Sequence, residues 1–296
     1  MPSWTERLKA IAVSGTETWI DRSYLVDWLV ATLLLFLASF IEAQPVFERD
    51  FSIDDPLISH EHTHQRISGA RNVFISYAVP TAVIIIAGIS KASLIDLHHG
   101  FLALYSGRAF SHIITEALKN RVGRLRPDFL TRCAWDTVAA ACTGNPDTVK
   151  DGRRSFPSGH SSTAFAGMTF LSLFLAGKTA AWCFAVPAPP RSLAASRMTR
   201  LVLVFLPLTF ATWVAISRVE DYRHHKEDVI VGSLIGILSA GIAYFIYWPS
   251  PFSVESFLPQ KAGRPRMVYG EDRGGGGGLR NGDYELTGFG NGAEAV

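Results

Sequence analysis

Residues 217–248 read SRVEDYRHHKEDVIVGSLIGILSAGIAYFIYW. Up to Asp228 nearly every residue is charged, histidine or tyrosine. The twenty residues from Val229 to Trp248 carry no charge at all. A helix of about 20 mostly apolar residues is what crosses the hydrocarbon core of a bilayer. The stretch therefore predicts a membrane span that begins directly after a cluster of reactive side chains.

Five more segments carry the same apolar signature, at residues 24–41, 73–89, 101–118, 160–176 and 201–217. The third is weakened by Arg108 and Glu116, and the fourth could run past Lys178 as far as Trp182. Composition agrees: 48% of the residues are hydrophobic, only 18% are charged, and mean hydropathy is +0.19. Soluble domains carry about a quarter charged residues. Six such runs would leave a soluble helical bundle little polar face to meet water. The expected fold is all-α, a polytopic membrane protein built as a six-transmembrane-helix bundle. The first run is too long for the apolar core of a cleaved leader and lacks a small-x-small site after it, so it reads as a retained anchor.

Outside the spans the chain divides into residues 1–22, a segment on the cytosolic side, residues 23–250, the six-span domain, and residues 251–296. Residues 4–20 mix Trp4, Leu8, Ile11 and Trp19 with charges, and read equally as a short interfacial helix or a loosely ordered start. The tail after Trp248 has Pro249, Pro251 and five glycines at 274–278, and reads as a disordered cytosolic tail. A net charge of +2 gives no reason to expect nucleic acid as a partner. Three cysteines are too few for a disulfide scaffold and fit no zinc site.

Lysine and arginine in short loops set orientation. Lys178, Arg191, Arg197 and Arg200 place the loop between spans four and five in the cytosol, while Glu48, Asp50, Asp54, Asp55 and Glu61 place the first loop opposite. Six spans then put both termini in the cytosol. The loops after spans three and five face away from it, and the first of these is rich in arginine, which calls for a functional reason. Cys133 and Cys142 fall in that loop; an oxidising compartment favours a bridge between them, with two free thiols as the other reading.

Three clusters lie at span ends on that same side: Lys119-x6-Arg126-Pro127, Pro157-Ser158-Gly159-His160, and Ser217-Arg218-x5-His224-x3-Asp228. Lys119 and Arg126 are seven apart, so two helical turns would put them on one face. Guanidinium forks match phosphate oxygens, and lysine adds a point charge. Ser158-Gly159 opens a helix, whose first amides favour an anion. His224 and Asp228, four apart at a helix start, would let the carboxylate hold one ring nitrogen and free the other to attack. His160 is a second imidazole, suited to protonate a leaving oxygen. Each element alone is ordinary, since span-end arginines usually only anchor. Their convergence at the ends of four spans is not.

These three motifs, complete and in order, resemble the signatures of the type 2 phosphatidic acid phosphatase superfamily. Glu48-Arg-Asp-Phe-Ser-Ile-Asp-Asp-Pro and Gly123-Arg-Leu-Arg-Pro-Asp-Phe resemble the eukaryotic lipid phosphate phosphatases, fungal diacylglycerol pyrophosphate phosphatases most of all. The resemblance implies that His224 forms a phosphohistidine, Asp228 orients it and His160 protonates the leaving group. It implies that Lys119, Arg126, Arg218, Ser158 and Gly159 hold the phosphoryl oxygens. It also implies a six-helix bundle with the active site at the non-cytosolic face, and a lipid phosphate in the bilayer as substrate. No cofactor and no metal is expected, homo-oligomerisation is left open, and an endomembrane or the plasma membrane is the location. A phosphotransferase on the same site, or a non-catalytic membrane protein on the same fold, are the rival readings. No cysteine has arginine six residues on, as a cysteine-dependent phosphatase requires, and no Asp-x-Asp-x-Thr motif occurs.

In sealed vesicles, cysteine probes at Ser196 and within 274–278 are expected to label from the cytosolic side, and a probe at Thr148 from the other. Labelling of all three from one side would overturn the even-span topology.

Overall fold

The computed structural model describes residues 21–186, 196–259 and 261–269. The expected features at 4–20 and 274–278 lie outside the described residues. Six long helices make up the bundle: α1 (Arg22–Ala43), α2 (Gly69–Lys91), α3 (Leu94–Val122), α6 (Gly159–Thr179), α7 (Arg197–Glu220) and α8 (Lys226–Tyr247). Two short helices, α4 (Phe129–Cys133) and α5 (Pro146–Gly152), lie between α3 and α6. To the all-α expectation the structure adds one antiparallel hairpin, β1 (Trp135–Asp136) with β2 (Ala141–Cys142). A disulfide between Cys133 and Cys142 closes it, with the Cα atoms 4.7 Å apart.

Side-chain caps set most helix starts. Asp21, Ser68, Ser93, Ser158 and Ser196 each accept a backbone N–H from the first turn of the helix they precede. Four helices, α1, α2, α7 and α8, are long and apolar enough to cross a membrane by length and composition. Their outer faces carry large apolar side chains with nothing over them, among them Leu29, Leu33 and Phe36 at 66–70% exposure. Such a continuous apolar exterior belongs in lipid rather than water. The other two are interior elements. α6 is central and packs against α2, α3, α7 and α8, while α3 packs on α1, α2, α6 and α8. Because they face protein, α3 and α6 keep polar residues, such as Ser106, Ser111, Thr115, Ser161, Ser162 and Ser172, that a lipid-facing helix would exclude.

α8 approaches α6 backbone to backbone. A Cβ built on Gly232 would lie 2.5 Å from the Ser158 carbonyl oxygen, and one on Gly236 would collide with the Ser162 carbonyl. Small residues at such a seam let membrane helices close in. The core is completed by Tyr24, Ile84, Leu102, Phe170, Phe174, Tyr244 and Trp248.

Part of the tail expected to be disordered from residue 251 is ordered, over 251–259 and 261–269. Val254–Phe257 forms a 3-10 turn. Beyond it the chain folds back over the end of the bundle remote from the Ser158 helix start. Tyr269 and Tyr247 both donate to Asp27, Val268 N–H donates to the Tyr24 hydroxyl, and Lys91 and Lys178 both donate to the Gly263 carbonyl. Composition missed this because the partners are single polar groups far away in sequence.

Gly232→Ala is expected to lower stability by about 1–3 kcal/mol through overpacking. Gly241, with nothing within 4 Å of its built Cβ, should accept alanine without loss. Thermal unfolding of the detergent-solubilised variants distinguishes the two; equal midpoints would mean that the α6–α8 seam is not tightly packed.

Candidate active site

The starts of α2, α6 and α8 and the ends of α3 and α7 meet at one end of the bundle, and the residues singled out in the sequence gather there. α8 begins at Lys226 with His225 as its cap, so His224 sits just outside the helix. Its ring is 3% exposed. Nδ1 lies 2.8 Å from the Ser155 carbonyl oxygen and 3.8 Å from Asp228 Oδ2. The first is a hydrogen bond and the second is too long to be one. The expected direct bond from Asp228 to His224 is therefore replaced by one from the main chain, because His224 lies ahead of the helix and not on it. With Nδ1–H donated to a carbonyl, Nε2 carries the lone pair. Nε2 faces Arg126 Nη1 at 3.4 Å.

Asp228 is fully buried and supports the site instead. It accepts from Ser155 Oγ (2.5 Å), His225 N–H (3.1 Å) and Arg124 Nη1 (2.7 Å), and its own carbonyl accepts from Ser158 N–H (2.9 Å).

Arg126 also arrives differently from expectation. α3 stops at Val122, where Gly123 takes a positive φ of 58° against the Phe47 carbonyl. Arg126 therefore lies beyond the helix and reaches the site from the following loop. Its Nε and Nη2 donate to the carbonyl and carboxylate of Asp151, each at 2.8 Å. Burial alone would raise the Asp151 carboxyl, but Arg126, Arg132 and Lys119 outweigh it and hold it well below the usual carboxylate range.

Lys119 remains on α3 and donates to Glu116 at 2.7 Å. Glu116 also pairs with Arg154. The Lys119 ammonium lies 2.9 Å from where a Cβ on Gly159 would be, so glycine at that position keeps the two in contact. Ser158 caps α6 and accepts from Ser161. Arg218 is entirely buried at the end of α7, bonded to Ser217 Oγ and Asp221, while its Nη1 has no protein partner. His160 Nε2 is likewise buried without a protein partner. Arg218, Arg126 and Lys119 are close enough for their charges to act on the His160 ring.

Four participants were missed in the sequence. Arg124 lies inside a quoted cluster but off its motif positions, and Ser155 lies two residues before another. Asp151 and Glu116 gave no signal, because a carboxylate in an anion site is legible only from its contacts. An unsatisfied guanidinium N–H and an unpartnered ring nitrogen beside the neutral His224 imidazole, within a cationic shell, suit a phosphoryl group.

Residues 100–251 match the family model described as the PAP2 superfamily. The chain belongs to the PAP2 superfamily. It is 34% identical over 250 residues to lipid phosphate phosphatase 2 of Arabidopsis thaliana, covering 81% of this chain and 82% of that protein. It is 35% identical over 243 residues to diacylglycerol pyrophosphate phosphatase 1 of Saccharomyces cerevisiae, covering 76% and 80%. It is 30% identical over 240 residues to phospholipid phosphatase 2 of Homo sapiens, covering 72% and 77%. No solved structure matches.

Burial and the charge of Arg126, opposed by Asp228, bring the His224 ring down to a pKa of about 4. The ring is then neutral, with its lone pair available, from about pH 4 upward. Histidine-labelled NMR of the solubilised protein, with His224→Gln to identify the resonance, is expected to show it unprotonated at pH 6. A midpoint at or above 6.5 would contradict this electrostatic reading of the site.

Proposed function

We propose that the protein is an integral membrane lipid phosphate phosphatase. It hydrolyses phosphatidic acid, lysophosphatidic acid and diacylglycerol pyrophosphate through a phosphohistidine, without a metal. The observation that carries the reading is the His224 ring: Nδ1 is fixed on the Ser155 carbonyl and Nε2 faces the Arg126 guanidinium. The family, and relatives named as lipid phosphate and diacylglycerol pyrophosphate phosphatases, support the same reading.

In this mechanism the terminal phosphoryl group lies among Arg126, Arg218, Lys119 and the first amides of α6. Bound there, it exchanges the Asp151 carboxylate on Arg126 for its own oxygens. Nε2 attacks phosphorus and the bond to the leaving oxygen breaks, with His160 giving that oxygen a proton. The charge of the bound phosphate favours the protonated form of His160. His160, now neutral, takes a proton from water as the water attacks the phosphohistidine. Inorganic phosphate leaves and His224 returns neutral. Catalysis is positioning and charge stabilisation of a transferring phosphoryl group.

The bundle crosses the bilayer six times, with the site at its non-cytosolic end. Support comes from the Cys133–Cys142 bridge, which lies in the loop at the site end and suits an oxidising compartment. Lys91, Lys178, Arg197 and Arg200 lie at the opposite end, as the positive-inside rule requires on the cytosolic side.

The test compares leaving groups with EDTA present throughout. General acid catalysis contributes about 10²–10⁴-fold. His160→Ala is expected to lose most activity on phosphatidic acid, whose alkoxide needs the proton, and far less on an activated aryl phosphate of a short-chain lipid. That variant should accumulate phosphohistidine, and His224→Ala should be inactive on both and form none. Equal losses in His160→Ala on both substrates, or loss of wild-type activity on chelation with recovery in Mg²⁺, would refute the mechanism.

A further inference from the structure

The start of α2 holds a buried amide that belongs to none of the three motifs. Asn72 lies in the first turn after the Ser68 cap and is only 1% exposed. A buried amide is tolerated where its polar atoms are met by partners. Asn72 Nδ2 donates to the main-chain carbonyl of His160 at 2.9 Å, and Asn72 Oδ1 accepts from Ser76 Oγ at 3.3 Å. The orientation of the amide follows from chemistry: a carbonyl oxygen only accepts, so the amide nitrogen has to face it. Ser76 is itself fully buried.

His160 is the second residue of α6. Helix ends fray, and a catalytic group placed there needs support from outside the helix. A carbonyl has two lone pairs, so that of His160 can accept from Asn72 and still take part in the helix. The bond ties the first turn of α6 to the neighbouring span. Deeper along the same seam, Gly167 of α6 meets the Ser76 carbonyl so closely that a Cβ there would collide with it. That contact fixes the register of α2 on α6 and keeps Asn72 level with His160. The start of α2 also passes the ring: a Cβ on Gly69 would lie 3.8 Å from both His160 Cε1 and Nε2. Because His160 Nε2 has no protein partner, its aim depends on the main chain that carries the ring.

We infer that Asn72 is a positioning residue: its bond to the His160 carbonyl holds the first turn of α6 so that the His160 ring meets the leaving oxygen and, afterwards, the attacking water. The inference rests on the reading of His160 as general acid and then base. Proton transfer requires the two heavy atoms to come within about 2.6–3.2 Å. A misplacement of about 1 Å can cost about 10²-fold. Asn72 acts only through the main chain, and none of its own bonds is made or broken in the reaction. His160 gives its proton to the oxygen that leaves phosphorus with the electron pair, and the neutral ring then takes a proton from the attacking water.

The experiment uses the full chain in mixed micelles, with phosphatidic acid and an activated aryl phosphate of a short-chain lipid as substrates. Two variants remove the amide donor: Asn72→Leu, which keeps the volume and suits a membrane helix, and Asn72→Ser, which is smaller and polar. Both are expected to lower kcat on phosphatidic acid about tenfold and to leave kcat on the aryl phosphate within about threefold of wild type. Turnover of the aryl phosphate by the same preparation reports that the variant is folded. Phosphohistidine formed from the aryl phosphate should rise in Asn72→Leu, though less than in His160→Ala. In the His160→Ala background, Asn72→Leu should change turnover of phosphatidic acid by less than about twofold, since the group that it positions is gone. Equal losses on both substrates, or the same loss with and without the His160 ring, would assign Asn72 to general packing or to phosphate binding and overturn the inference. If His160→Ala separates the two substrates and the Asn72 variants do not, the inference falls alone. If His160→Ala itself fails to separate them, the proposed role of His160 falls and the inference falls with it.

Discussion

Asp228 is a carboxylate with no access to water, and it is bonded on every side. Its oxygens take up Ser155 Oγ, the His225 amide and the Arg124 guanidinium, while its main-chain carbonyl receives the Ser158 amide. An ionised carboxylate in a low-dielectric interior persists only when it is paired and fully hydrogen-bonded. Meeting that requirement draws four segments together: the start of α8, the start of α6, the residues just before α6, and the loop after α3. The Ser155 carbonyl that fixes His224 is delivered by one of those segments. His224 is thus positioned by the satisfaction of a neighbouring charge, and not by a short hydrogen bond to it.

The surplus of cations at this end of the bundle follows a second constraint. Arg126, Arg218, Lys119 and Arg223 would repel one another if left free. Each is moored: Arg126 on Asp151, Arg218 on Asp221 and Ser217, Lys119 on Glu116, and Arg223 on the Thr63 carbonyl and Asp128. The moorings leave selected donors unused, Arg218 Nη1 and Arg223 Nε among them. The cations are thereby held in place by the protein itself.

Much of this was legible in the sequence. The apolar runs are long and coincide with helices, and the start of α6 could be read because Ser-Gly-His before an apolar run carries both a cap and a close-approach residue. The path of Arg126 could not be read. A spacing of seven suggests one helix face, yet Gly123 ends α3 where the Phe47 carbonyl crosses it. Nor could the bond from His224 to Ser155, since 69 residues separate the partners and a carbonyl carries no side-chain signature. The count of lipid-facing helices was obscured for a related reason: α3 and α6 are shielded by their neighbours, so their composition follows protein contacts rather than lipid.

The segment up to residue 269 ties the beginning of the chain to its end. α1 packs mainly on α3, and its remaining faces look outward. Asp27 and Tyr24 on α1 find Tyr247, Val268 and Tyr269 only after α8 has been made. α1 is thus among the last helices to acquire all its native partners. Assembly has a built-in order: the contacts of Asp27 with Tyr247 and Tyr269 form only once α8 and the segment after it have been made.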